Sequence, residues 1–166
     1  QKLELAALGK ESDNFYAEMI FKSLAGGAKT GPASADAAAR DVTKLLEDQH
    51  VFEEGVVIKN GSGLFDANRV TAWSTALLLR TAMRDTAIAS DFIAQLATGG
   101  VDGTLRGRFR TWSSKGAVRA KTGTLNSVSV LSGYLGTQQG VLIFSICVAR
   151  SSASAAIVLT VSVAFW

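Results

Sequence analysis

The amino-acid sequence predicts an α+β protein, helices first and an antiparallel sheet after them. Three observations predict it. Apolar residues recur at three- and four-residue spacing, between residues that favour helix ends, through most of residues 1–97. From Ala117 the pattern changes to strands, over residues 117–122, 127–135 and 141–149. The turns at Leu125-Asn126 and at residues 136–140 are too short for a crossover, so these strands are antiparallel neighbours. Residues 1–116 thus make a mainly helical part and 117–150 the strands, while the tail at 151–166 is open to either a helix or a strand.

Residues 1–24 read as two helical pieces. Leu3, Leu5 and Leu8 belong to the first, which Gly9 ends or turns. Ser12 is an N-cap for the second, with Asp13 acidic in the first turn where the helix dipole favours it. Phe15, Met19 and Ile20, extended by Tyr16 and Leu24, form its apolar face. Gly26-Gly27 stops it, and Gly31 with the single proline, Pro32, makes residues 28–33 a loop. Ser34 caps a helix reaching about His50, with Val42, Leu45 and Leu46 inward and charges of mixed sign on a solvated face. His50, beside a helix end, reads as a surface or dipole-facing residue and not as a ligand or base.

Val56-Val57-Ile58 is a short strand running into Asn60-Gly61-Ser62-Gly63-Leu64, which is either a tight turn or a loop lining a site. Thr71 caps a helix to about Arg84 that buries Trp73, Leu77 and Leu78, and a short helix follows over 88–97. Gly99-Gly100-Val101-Asp102-Gly103-Thr104-Leu105 breaks the helical pattern. Residues 141–149 are apolar almost throughout, as in a central strand covered on both faces.

With 166 residues, 48% of them hydrophobic and 19% charged, the chain can bury a real core and is too apolar for global disorder. A net charge of +3 is too small to argue for nucleic acid. The densest basic cluster is Arg106, Arg108, Arg110, Lys115, Arg119 and Lys121, with only Phe109 and Trp112 interleaved and no recognition motif around it. It reads as a solvated loop and strand edge or as a positive rim for carboxylate-bearing peptides, with nucleic acid the weakest alternative. The lone Cys147 excludes an internal disulfide and belongs in the core. The chain starts at Gln1 without a basic-then-apolar leader, so the expectation is a removed leader or a cut from a longer chain. The apolar run at 155–166 is short of the roughly 20 residues a membrane span needs.

Two triplets can carry chemistry. Lys121-Thr122-Gly123 puts a cation, a hydroxyl and a bare backbone position in the middle of a strand, and Ser12-Asp13-Asn14 opens a helix. Each has a plain structural reading as well: Lys121 as an edge-strand lysine that discourages aggregation, and Ser12 as a helix cap. Four stretches then stand in order. They are Lys10-Glu11-Ser12-Asp13-Asn14, then Asn60-Gly61-Ser62-Gly63-Leu64 with Asn68-Arg69-Val70-Thr71, then Gly100-Val101-Asp102-Gly103-Thr104-Leu105-Arg106, and Arg119-Ala120-Lys121-Thr122-Gly123-Thr124-Leu125 with Ser132-Gly133-Tyr134. Through them residues 8–149 resemble the D-alanyl-D-alanine carboxypeptidase/endopeptidase family of low-molecular-mass penicillin-binding proteins.

The resemblance implies a penicillin-binding-protein/β-lactamase-like transpeptidase fold, an antiparallel sheet flanked by helices, working outside the cytoplasmic membrane. It implies peptidoglycan stem peptides and β-lactam antibiotics as partners, no nucleic acid and no cofactor or metal. Carried over by motif position, Lys121 would supply positive charge for the substrate's terminal carboxylate, and Thr122 a hydroxyl to the same group. Gly123 and Thr124 would let the substrate lie along the strand. Ser12 would pass a proton between the nucleophile's lysine and the leaving amine, Asn14 would hold the substrate amide, and Lys10 would add to the positive field. The family's nucleophile lies in Ser-x-x-Lys, and no serine here is followed three residues later by lysine. The expectation is therefore a partial transpeptidase domain completed by an N-terminal segment or a complementary chain. A β-lactamase and a non-catalytic wall-peptide-binding module are the competing readings.

Overall fold

The structure, a computed structural model, describes residues 2–25, 33–65, 67–111, 116–150 and 157–165, with backbone alone for residues 2, 150 and 157–165. The expected helix stop at Gly26-Gly27, the loop at Gly31-Pro32, Trp112 and Lys115 of the basic cluster, and tail residues 151–156 lie outside these.

Helix α1, Lys2–Ala6, runs directly into a π-turn at Ala7–Glu11. Of the two readings of Gly9, a helix end or a turn residue, the structure has the turn. Gly9 sits buried inside the π-turn, where a Cβ would fall 2.2 Å from the Gln95 carbonyl oxygen, so glycine is there to let two backbones touch. Ser12 is not the cap of the next helix. It closes the π-turn in the left-handed region (φ 61°), with its N–H on the Ala7 carbonyl. The cap of α2, Asn14–Ala25, is Asp13, whose Oδ1 accepts from the N–H groups of Phe15 at 2.9 Å and Tyr16 at 3.1 Å.

The inward face of α2 is also corrected. Ala17, Phe21 and Ala25 are buried, whereas Phe15, Met19 and Leu24 are exposed. What lies against the small face decides this. Phe21 and Ala25 pack on Ala38 and Ala39 of α3 (Ala35–Asp48), and the loop at Gly61 lies so close that a Cβ would come 2.4 Å from the Ala17 carbonyl oxygen. Ser62 fixes that loop, its N–H and hydroxyl both donating to Glu18 Oε1 at 3.0 and 2.7 Å. Within the loop, Asn60 Oδ1 accepts the Gly63 N–H at 2.8 Å and Asn60 Nδ2 donates to the Leu64 carbonyl at 3.0 Å.

Ser34 caps α3 as expected, accepting from the Ala37 N–H, and of the expected inward residues Leu46 is buried and Val42 half-buried against the core, whereas Leu45 is exposed. Thr71 and Ser74 form a capping box at the start of α4, Ala72–Arg84. This helix buries Ala72, Ala76, Leu79 and Ala82 and leaves Trp73 and Leu78 largely outside, again a small-residue face where bulk predicts otherwise. Val56-Val57-Ile58 makes a single bridge, Val57 with Arg69, and no strand. Helix α5, Ala89–Gln95, is shorter than expected because the chain leaves it to form strand β1, Ala97–Thr98. A 3-10 turn, Gly103–Leu105, follows. Among the described residues no helix is long and apolar enough to cross a membrane.

The sheet has five strands in chain order, all antiparallel: β1, β2 (Val118–Thr124), β3 (Val128–Thr137), β4 (Gly140–Arg150) and β5 (Ile157–Phe165). The tail is therefore a strand, and β4 is central, paired with β3 and β5, while its apolar sequence serves both faces, Phe144 packing on one and Ile143 on the other. One face packs Val118, Ala120 and Phe144 on Ala97, Leu105 and Phe109. The other packs Tyr134 and Ile143 under Leu79 of α4 and Leu96, with Met83 and Phe92 around them. The Tyr134 hydroxyl donates to the Leu79 carbonyl at 2.8 Å, and burial pushes its pKa well above the usual phenol range. Cys147 is half-buried on β4, and burial pushes its thiol up too, as suits a packing residue.

Candidate active site

Lys121 and Thr122 are successive residues of β2, so strand alternation turns them to opposite faces. Lys121 shares its face with its cross-strand partner Ser132, and Ser132 with Ser145, the last two buried with their hydroxyl oxygens 2.9 Å apart. The Lys121 ammonium reaches away from β2 to the π-turn and donates to Ser12 Oγ at 2.5 Å and to the Thr122 carbonyl at 2.7 Å. The Ser-Asp-Asn and Lys-Thr-Gly triplets, 109 residues apart by that contact, are thus one cluster. Lys121 is not the solvated edge lysine of the plain reading. Burial of its ammonium lowers its pKa from the usual lysine value.

Thr122, on the opposite face, donates its hydroxyl to Thr104 Oγ1 of the 3-10 turn at 2.9 Å. Gly123 and Thr124 end the strand, both exposed. A Cβ at Gly123 would meet only Val130 Cβ, at 3.7 Å, so the described fold does not demand glycine there. β1 reaches β2 only through Ala120 and Arg119, so among the described residues no strand covers the other edge of Lys121–Thr124. Asn14 is exposed at the first turn of α2, two residues from Ser12.

The sequence reading treated Lys10 as a spare positive charge. It is instead paired, Nζ donating to Asp102 Oδ2 at 2.5 Å, and the side chains are only 25% and 30% exposed. Asp102 Oδ1 accepts the Thr98 N–H at 2.7 Å. Burial works against the Asp102 charge, but these hydrogen bonds outweigh it and hold the carboxyl below its usual range. Asp102 and Thr104 had no assigned role. The available signal was an acid and a hydroxyl set among glycines at 99–104. Arg106, Arg108 and Arg110 are exposed, with Arg108 lying over the Phe109 ring, so this part of the basic cluster is solvated. Among the described residues no group of His, Cys, Asp and Glu is placed to hold a metal ion.

Comparison with known proteins adds relatives to this geometry. The model of the D-Ala-D-Ala carboxypeptidase 3 (S13) family matches residues 3–161. A D-alanyl-D-alanine carboxypeptidase of Actinomadura sp. (strain R39) is 39% identical over 142 residues, covering 82% of this chain and 26% of that protein. D-alanyl-D-alanine carboxypeptidase DacB of Haemophilus influenzae is 30% identical over 138 residues, covering 82% of this chain and 29% of that protein. Among solved structures, penicillin binding protein 4 of Haemophilus influenzae superposes with a TM-score of 0.77 at 24% identity, over 95% of this chain and 32% of that one. A predatory endopeptidase of Bdellovibrio bacteriovorus, solved with an immunity protein, gives 0.68 at 20% identity, over 88% and 36%. The chain spans between a quarter and two fifths of the length of these relatives. With a family model matching nearly its whole length, the chain belongs to the D-Ala-D-Ala carboxypeptidase 3 (S13) family.

Proposed function

We propose that this chain supplies the Ser-Asp-Asn and Lys-Thr-Gly parts of the acyl-transfer site of a serine-type D-Ala-D-Ala carboxypeptidase. Its substrates are peptidoglycan stem peptides, it is acylated by β-lactam antibiotics, and it works outside the cytoplasmic membrane. The observation that carries the reading is the hydrogen bond from Lys121 Nζ to Ser12 Oγ. The residues that form the nucleophile are absent from this sequence, so in this reading they come from another segment of the same protein or from a complementary chain.

The roles follow from the contacts. Because Ser12 Oγ accepts a hydrogen bond from the Lys121 ammonium, its own O–H is left to donate elsewhere, as a residue handing a proton to a leaving amine must. The ammonium is desolvated, and a carboxylate arriving beside it would restore the charge balance through a charge-assisted hydrogen bond. The uncovered edge of β2 offers backbone groups to an extended peptide, with no side chain at Gly123 in its way. Asn14, at the start of α2, is the candidate for holding the substrate amide.

The test is labelling of the full-length protein by a fluorescent penicillin. Wild type is expected to form a stable adduct, and Lys121→Ala to lower its rate of formation by about 100-fold or more, the scale of removing one preorganised electrostatic contact. Normal labelling of Lys121→Ala would sink the assignment. If the full-length protein has no Ser-x-x-Lys and takes no label, the non-catalytic wall-peptide-binding reading replaces this one.

A further inference from the structure

Lys121 and Thr122 point to opposite faces of β2, and a different segment meets each: Ser12 from the π-turn, Thr104 from the 3-10 turn. Those two segments are joined to each other beyond the strand. Lys10, two residues before Ser12, pairs with Asp102, two residues before Thr104. The contacts close a ring that clasps the strand, running from Lys121 to Ser12, back to Lys10, across to Asp102, on to Thr104 and home through Thr122.

The segment most in need of a clasp is the π-turn. A π-turn is a rare geometry that recurs at functional sites, and Ser12 ends this one in a left-handed conformation that a serine keeps only where its surroundings fix it. Lys10 is fixed at both ends by adjacent residues of the other segment. Its ammonium is held by Asp102, and its carbonyl is packed on Gly103, where a Cβ would come within 2.4 Å of the Lys10 oxygen. A rim ion pair would be exposed and weak. This one is mostly enclosed, and the second Asp102 oxygen is engaged by the Thr98 amide, so neither partner is free to swing away.

We propose that the Lys10–Asp102 pair is a positioning device of the active site, locking the π-turn so that Ser12 Oγ stays on the Lys121 ammonium. The proposal rests on the carboxypeptidase reading above. Neither residue touches substrate, and both act through Ser12. That makes the proposal separable from a purely structural role, because an effect that passes through Ser12 vanishes when Ser12 is gone.

The experiment is a double-mutant cycle on the full-length protein. It reads the second-order rate of acylation by a fluorescent penicillin, corrected for the folded fraction of each variant. Asp102→Asn is expected to slow acylation about 10- to 100-fold, as small misplacements of a site group do. In a Ser12→Ala background it is expected to slow it no further. Lys10→Met, the second variant should Asp102→Asn fold poorly, is expected to behave in the same way. Equal slowing in both backgrounds, or a lowered melting temperature with an unchanged rate, would overturn the proposal and leave the pair structural. Failure of wild type to label, or a Ser12→Ala rate equal to wild type, overturns the site reading itself, and this proposal with it.

Discussion

Gly133 and Gly123 look alike in the sequence, each a glycine inside a strand, yet they answer to different demands. A Cβ at Gly133 would lie 2.1 Å from the Arg119 carbonyl oxygen and 2.6 Å from Ala120 Cα, so β2 and β3 can pair there only without it. At Gly123 the same atom would make ordinary contact with Val130 alone. Gly133→Ala is therefore expected to lower the unfolding free energy by about 2–3 kcal/mol in a denaturant titration. Gly123→Ala should change it by less than about 0.5 kcal/mol and still slow penicillin labelling. Labelling of Gly123→Ala at the wild-type rate would show that the uncovered edge of β2 is not where the substrate lies. The Ser12 and Asp13 pair carries a related lesson. Both residue types favour helix caps, and the choice between them was made by the π-turn closing on Ala7, a contact no local pattern encodes.

Among the elements, helix existence was legible and helix orientation was not. Ser34 and Thr71 marked their caps correctly, since capping needs only a residue and its next few neighbours. The buried faces of α2 and α4 were misread because bulk was taken as the guide. On α2 the alanines face inward where the Gly61 loop and α3 approach closely, leaving Phe15 outside, and on α4 a small-residue face lies toward the sheet, leaving Trp73 outside. The link between the π-turn and the 3-10 turn has its own pH signature. Asp102 is held below the usual aspartate value of 3.8 in the folded protein, so its contribution is fully present above the unfolded value and is lost as pH falls through the lower folded one. The stability difference between wild type and Asp102→Asn should be constant above about pH 5 and shrink as the solution is acidified toward pH 3 and below. A difference that grew on acidification would reverse the assigned sign.

Across the whole molecule, the α+β class and the three strands at 117–149 could be read directly, because alternation and short turns are local signals. The fifth strand could not. Its apolar run fits a helix or a strand, and only pairing with β4 decides between them. The site was legible as two motifs but not as a ring, since Lys10, Asp102 and Thr104 are brought together by contacts that reach across 92 residues.

The sheet's strictly sequential order has a consequence for how the molecule assembles and fluctuates. Each of β2, β3 and β4 finds its partner across a hairpin of a few residues, whereas Ser12 finds Lys121 across 109. Loop-closure entropy grows with separation, and low-contact-order structure forms early, so the hypothesis is that the meander condenses first and the clasp shuts last. By the same token the clasp can open without the sheet. Native-state hydrogen exchange should then find the Ser12 and Asp13 amides escaping through local opening, while the β3 and β4 amides exchange only with global unfolding. Equal protection throughout would refute that order of events. If it holds, the Ser12–Lys121 clasp is a foldon of its own, melting before the scaffold that carries it.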